Sequence, residues 1–202
     1  MKLSLKFLLI CGCISTLIYI ATDILSGLIT PGYSFNSQTV SELSAIGAPT
    51  KSLWIIMTFI YNPLLILFSF GIFQITKNKI LSFCLAAIGI LGFVWLLFPM
   101  NLRGAIGSSN DAMHLVMVVV TIILMITMII SGSNVHNKNF RFYSIITLII
   151  MALFGIITGQ QTANVAANLP TPFMGITERF SSYSPLIWIT VLSLICIKNP
   201  KK

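Results

Sequence analysis

Apolar residues in this chain gather into six long runs, at about 7–29, 53–75, 80–98, 112–131, 142–159 and 180–197. A helix needs about 20 such residues to cross roughly 30 Å of hydrocarbon. The fourth run, containing MHLVMVVVTIILMITMII, is the clearest, and the fifth is the shortest. In hydrocarbon the backbone must satisfy its own hydrogen bonds, so the runs predict helices. The alternating ten-residue segments of a barrel do not occur. The pattern therefore predicts an all-α integral membrane protein, one domain over residues 1–202 forming a six-transmembrane-helix bundle. Two of its connections are short, Thr76–Lys79 and Ser133–Arg141. The other three, about 30–52, 99–110 and 160–179, are long and hold most of the prolines and polar residues. Long loops on one face are where function usually resides.

Composition agrees with the pattern. Hydrophobic residues make up 56% and charged residues 8%, with a mean hydropathy of +0.97; soluble domains carry about 25% charged residues. The net charge of +8 gains meaning from its distribution. Lys2, Lys6, Lys77, Lys79, Lys138, Arg141, Lys198, Lys201 and Lys202 fall on the side of the termini and short connections, with no acid among them. Lys51, Arg103 and Arg179 share the other side with Asp23, Glu42, Asp111 and Glu178. The positive-inside rule then predicts both termini in the cytoplasm of a cell whose inner or plasma membrane holds the protein. The basic side meets anionic lipid headgroups, and no nucleic-acid partner is expected.

Lys2 and Lys6 ahead of an apolar run raise the question of a signal peptide. The run is too long for one, no A-x-A site follows, and only Phe7 to Ile10 precede the cleavage-like Ile10-Cys11-Gly12-Cys13, so an uncleaved first helix is expected. Cys11, Cys13, Cys84 and Cys196 map to the cytoplasmic half, which predicts free thiols. Cys11 and Cys13 point to different faces of a helix, and no metal site is expected there.

Several polar residues carry candidate chemistry. Thr16, Tyr19, Asp23, Ser26 and Thr30 recur at steps of three and four and share one helix face. Asp23, roughly 10 Å below the helix end, must face the bundle interior or a water cavity. It either marks a functional site or pairs with Arg103 or Arg179. Asp111 and His114 lie one turn apart at the start of the fourth helix. They can orient an imidazole for general-base work or supply metal ligands, while Asp111 also suits the helix dipole. The other histidine, His136, maps to the far side, so no metal and no cofactor are expected. Ser41, Ser44, Ser108 and Ser109 lack a G-x-S-x-G elbow. Arg103 follows the end of the third helix, and Arg179 adjoins Glu178 just before the sixth. The two arginines either snorkel or clamp a phosphate or carboxylate. Gly155-x-x-x-Gly159 reads as a close-packing motif.

The first long loop contains TVSELSAIGAP, residues 39–49. Thr39-x-x-Glu42 is a capping box, Gly47 a natural helix stop, and Pro49 prevents continuation. These signals predict a short helix with Val40, Leu43 and Ile46 on one face, lying as a lid above Asp23.

Pro31-Gly32-Tyr33-Ser34, Ser41 to Pro49 and Trp54, followed by Arg103-Gly104, Asp111-Ala112-Met113-His114 and Thr177-Glu178-Arg179, resemble the motifs of a prokaryotic membrane family, domain of unknown function 998. A more distant likeness is to the Frag1/DRAM/Sfk1 membrane proteins. The resemblance covers essentially the whole chain and implies a six-helix membrane protein with no established activity. It also draws Tyr33 into the candidate site.

Three functional readings follow. The first is an outward-facing polar pocket for a lipid headgroup or small polar solute, with Asp23 at its floor and Tyr33, Glu42, Arg103, Asp111, His114, Glu178 and Arg179 around it. The second is a structural or accessory membrane protein in which the acids cap helices and pair with the arginines. The third is a lipid-modifying hydrolase with His114 as base and Asp23 or Asp111 as its partner.

Overall fold

The computed structural model describes residues 3–105 and 109–199; Lys2, Ser108, Lys201 and Lys202 lie outside them. Within these limits the chain is helical, with no strand. The long helices are α1 (Leu3–Ile29), α2 (Lys51–Thr76), α3 (Lys79–Val94), α4 (Ser109–Gly132), α5 (Lys138–Gly159) and α7 (Met174–Lys198), with a short α6 (Thr162–Ala166) between the last two. Among the described residues six helices are long and apolar enough to cross a membrane.

The helix boundaries differ from the apolar runs where polar residues belong to a helix. α7 begins at Met174, so Glu178 and Arg179 lie in its second turn rather than just before it. A hydropathy reading discards them because it cannot see that their charges are satisfied inside the protein. The third run ends as α-helix at Val94 and continues as a 3-10 turn over Trp95–Leu97. The expected loop helix contracts to one 3-10 turn, Ser41–Ser44. Ala45 is extended (φ −61°, ψ 162°) and Gly47 takes φ +88°, so the helical path is broken at both. α6 was not foreseen.

Consecutive contacts fix the arrangement. α1 and α7 run antiparallel. The Ser193 hydroxyl donates to the Leu9 carbonyl (2.6 Å), Thr16 donates to Leu186 (3.0 Å), and Asp23 meets Arg179 one register further along. On the other side of α1, Ser15 donates to the Tyr61 carbonyl of α2 (2.9 Å). The Asn78 amide, at the start of α3, donates to the Ser131 carbonyl of α4 (2.7 Å). Trp188 on α7 donates to the Ser144 hydroxyl of α5 (2.8 Å). The neighbours are thus α4–α3–α2–α1–α7–α5, with only slight contact between α4 and α5. Lipid supplies no hydrophobic drive for such pairings; small residues and interhelical hydrogen bonds do the work. Gly12 illustrates this, because a Cβ there would come within 2.8 Å of the Phe68 ring. In the expected Gly155/Gly159 motif only Gly155 packs, 3.1 Å from the Ser181 hydroxyl, while Gly159 faces open space.

The apolar core, including Leu9, Phe68, Ile72, Leu85, Ile129, Trp188 and Leu192, fills the half of the bundle nearest the termini. None of the four cysteines is in a disulfide. At the opposite end, called the loop end below, the interior is polar.

Candidate functional site

The polar face of α1 turns inward and leads to the loop end. Tyr19 meets the rings of Trp54 and Tyr61 edge-on, with centroids 5.4 and 5.5 Å apart. One turn further along, Asp23 is wholly buried. Its carboxylate accepts two bonds from Arg179, Nε to Oδ2 and Nη2 to Oδ1, each 2.8 Å. The Tyr183 hydroxyl adds a short bond to Oδ2. Of the two arginines weighed for Asp23, the partner is therefore Arg179.

A buried ion pair is favourable only when further hydrogen bonds satisfy its remaining groups. Here the first loop supplies them. Arg179 donates to the Tyr33 hydroxyl (2.6 Å) and to the carbonyls of Phe35 (3.1 Å) and Gln38 (3.2 Å), besides Gly175 of its own helix (3.0 Å). The guanidinium also lies 4.8 Å from the centre of the Phe35 ring. Tyr33 donates in turn to the carbonyls of Gln38 and Thr39. Burial pushes its phenol above the ordinary value, against the opposing pull of Arg179, so the hydroxyl keeps the proton those carbonyls accept.

The start of α7 anchors the same loop through its own backbone. The first N–H groups of a helix have no partner within it, and those of Gly175 and Ile176 donate to the Asn36 carbonyl. Thr171 donates to the carbonyl of Ser37 (2.7 Å), and the Val40 amide donates to the Glu178 carboxylate. Glycine is needed at 175 because a Cβ would lie 2.3 Å from the Gln38 carbonyl oxygen and 2.5 Å from that of Phe35.

A second ion pair links the loops to one another. The capping box forms as predicted: Glu42 N–H donates to the Thr39 hydroxyl, and Thr39 N–H donates back to Glu42, both at 3.3 Å. The carboxylate also accepts Arg103 Nη2 (2.7 Å) and Nε (3.3 Å) and the Gln38 amide (3.1 Å). Arg103 Nη1 reaches the Leu169 carbonyl in the third loop (3.2 Å). The Ile46 amide donates to Met100, and the Gly104 amide to Val165. All three long loops interlock as a result.

Asp23, Tyr33, Glu42, Arg103, Glu178 and Arg179 therefore form one network, with Gln38 bonded to both arginine systems. Asp111 and His114 occupy a neighbouring position. The Asp111 carboxylate accepts the backbone and side-chain N–H groups of Asn101, both at 2.8 Å. His114 Nδ1 lies 3.1 Å from the Phe98 carbonyl, which can only accept, so Nδ1 carries the proton. Its ring meets Trp95 edge-on at 4.7 Å. Among the described residues no group of three or more His, Cys, Asp or Glu is placed to hold a metal.

The cover over Asp23 is the stretch from Tyr33 to Gln38. The 3-10 turn lies to one side, where Val40 and Leu43 pack with Trp54, Tyr19 and Tyr33. Between this loop and Arg103 is a half-open cleft of about 280 Å³, with Thr30, Tyr33, Glu42 and Arg103 among its polar walls and Leu43 and Pro49 among its apolar ones. That volume is near the lower limit of small-molecule sites.

Sequence reasoning missed Tyr183, Gln38 and Gly175. Tyr183 carried a usable signal, because it lies four residues after Arg179 on the same helix face. Gln38 reaches Glu42 four residues on, but outside any helix that would give that spacing a meaning, and Gly175 meets backbone atoms distant in sequence, so neither carried a usable signal.

A family model described as "Protein of unknown function (DUF998)" matches residues 13–195. No curated protein and no solved structure matches the chain. With the match taking in most of every long helix and all of the interlocked loops, the chain belongs to the DUF998 family and is a multi-pass membrane protein.

Proposed function

We propose that the protein binds a small polar molecule or lipid headgroup in the cleft between its first and second long loops. The observation that carries this reading is the cleft itself, half-open beside the Glu42–Arg103 pair, whose arginine side chain keeps 20% of its surface exposed. Asp23 serves the site indirectly in this reading. With Arg179 and Tyr183 filling its carboxylate, it holds the first loop in place rather than touching a ligand. Glu178 does the same through Val40, while Asp111 and His114 hold the second loop beside the cleft.

Mass spectrometry of the material that co-purifies with the protein tests this. The wild type is expected to retain a defined species. Arg103→Gln, and separately Leu102→Trp, which fills the cleft without touching the ion pair, are expected to lose it. Retention of the same species at wild-type occupancy by both variants would contradict the proposal.

A purely structural role is favoured by one observation, the complete burial and saturation of Asp23. It explains the Arg179 network but not a cleft bordered by a partly exposed arginine.

The proposal includes an orientation, with the termini in the cytoplasm and the cleft facing outward across the plasma membrane. It is supported by nine of the twelve basic residues lying on the termini's side under the positive-inside rule. A C-terminal fluorescent-protein fusion is expected to glow and a C-terminal alkaline phosphatase fusion to be inactive. The reverse pattern would refute the orientation.

A further inference from the structure

The third long loop differs from the other two in carrying no charge. No Lys, Arg, Asp or Glu lies between Arg141 and Glu178, whereas the first and second loops hold Glu42 and Arg103. Its last part, residues 169–173, is also turned outward. Thr171 is buried and donates to the Ser37 carbonyl. Leu169, Pro170, Pro172 and Phe173 on either side of it are exposed.

Phe173 is the most unusual of them. Its φ of +63° is a left-handed conformation that residues with a Cβ seldom adopt, and it leaves the ring 62% exposed. Strained backbone of this kind persists where the surroundings or a function require it, and contact with lipid would give the outward ring such a use. The same helix points to lipid as the surroundings. Phe173, Ile176, Phe180 and Ile187 recur at steps of three, four and seven, so they share one face of α7, and all four are exposed. On a helix that crosses a membrane such a face meets lipid, and Phe173 stands at its loop-end limit.

Helix length sets the depth. α7 runs from Met174 to Lys198, with its middle near Leu186. At 1.5 Å per residue, Phe173 stands about 20 Å from that middle. This is beyond the roughly 15 Å half-thickness of the hydrocarbon and within the headgroup layer, which ends at about 20–22 Å. The backbone suits a layer poor in water. Pro170 and Pro172 have no N–H to satisfy. Leu169 donates to the Asn164 carbonyl (2.8 Å) and Met174 to the Thr171 carbonyl (3.2 Å).

We propose that residues 169–173 form an interfacial anchor, with Leu169 and Phe173 seated among the lipids of the leaflet on the loop-end side. Leucine and phenylalanine on an uncharged outward face suit the boundary between headgroups and acyl chains. The anchor also bears on the cleft. The Leu169 carbonyl accepts Arg103 Nη1, so the depth of the anchor fixes that of the arginine in the cleft wall.

Tryptophan fluorescence of the full-length protein in phosphatidylcholine nanodiscs provides the test. Leu169→Trp and Phe173→Trp each add an indole, whose emission is obtained by subtracting that of the wild type. Both added emissions are expected to be blue-shifted, lost on exchange into phosphatidylcholine brominated near the headgroup end of its chains, and protected from aqueous iodide. Both positions are exposed, so the variants should unfold at the wild-type temperature. Leu169→Trp carries the test alone if the larger ring does not fit the left-handed conformation at 173. Quenching by iodide with none by the brominated lipid, at 169 or at 173 in a folded variant, would overturn the proposal.

Discussion

Arg179→Gln is expected to destabilise the protein by about 3–5 kcal/mol, because it leaves the Asp23 carboxylate buried without its counter-charge. In a thermal unfolding measurement in detergent this corresponds to a fall of about 10 °C. The loss extends beyond one ion pair. Arg179 also holds the Tyr33 hydroxyl and the Phe35 and Gln38 carbonyls, so backbone amides of the first loop should exchange hydrogen faster in the variant. Asp23→Asn combined with Arg179→Gln removes both charges and is expected to cost less than the sum of the single changes. Unfolding of Arg179→Gln within about 1 °C of the wild type would mean that the pair does not hold the loop end together.

Gly175→Ala is expected to reverse the usual sign of its substitution. Within a helix, alanine is normally more stable than glycine by about 1 kcal/mol. At position 175 the added carbon would fall 2.3 Å from the Gln38 carbonyl oxygen and 2.5 Å from that of Phe35, and both are backbone atoms with little room to move. Overpacking of this kind costs about 1–3 kcal/mol, and the loop must lift away from α7. Gly159→Ala is the control, because open space surrounds that position; it should be neutral or stabilising by up to about 1 kcal/mol. Equal unfolding temperatures for Gly175→Ala and the wild type would show that the loop does not sit against α7 as described.

The two predictions bear on different parts of what could be read in the chain. Six apolar runs were enough to find six helices, because crossing hydrocarbon imposes a length and forbids an unpaired backbone. Asp23 was equally visible, since a lone acid within an apolar run stands out. Its partner was not decided by the run, because the pairing depends on how α1 and α7 lie against each other, and charge alone fitted Arg103 as well as Arg179. The Thr39–Glu42 capping box was read correctly and its helix was not. A cap states where a helix can begin, whereas the extended Ala45 and left-handed Gly47 end this one after a single 3-10 turn. The cleft itself was hidden, because it is formed by loops from separate parts of the chain joined through backbone carbonyls that carry no sequence signature.

Asp23 is a fastening within the loop end, and the Glu42–Arg103 cleft is where we propose that a ligand binds. A structure of the full chain in lipid nanodiscs tests this most directly. Added density is expected in the cleft, within hydrogen-bond distance of Arg103, with the Asp23–Arg179 pair closed beneath the first loop. Density against Asp23, with Arg179 swung away and the cleft empty, would contradict it.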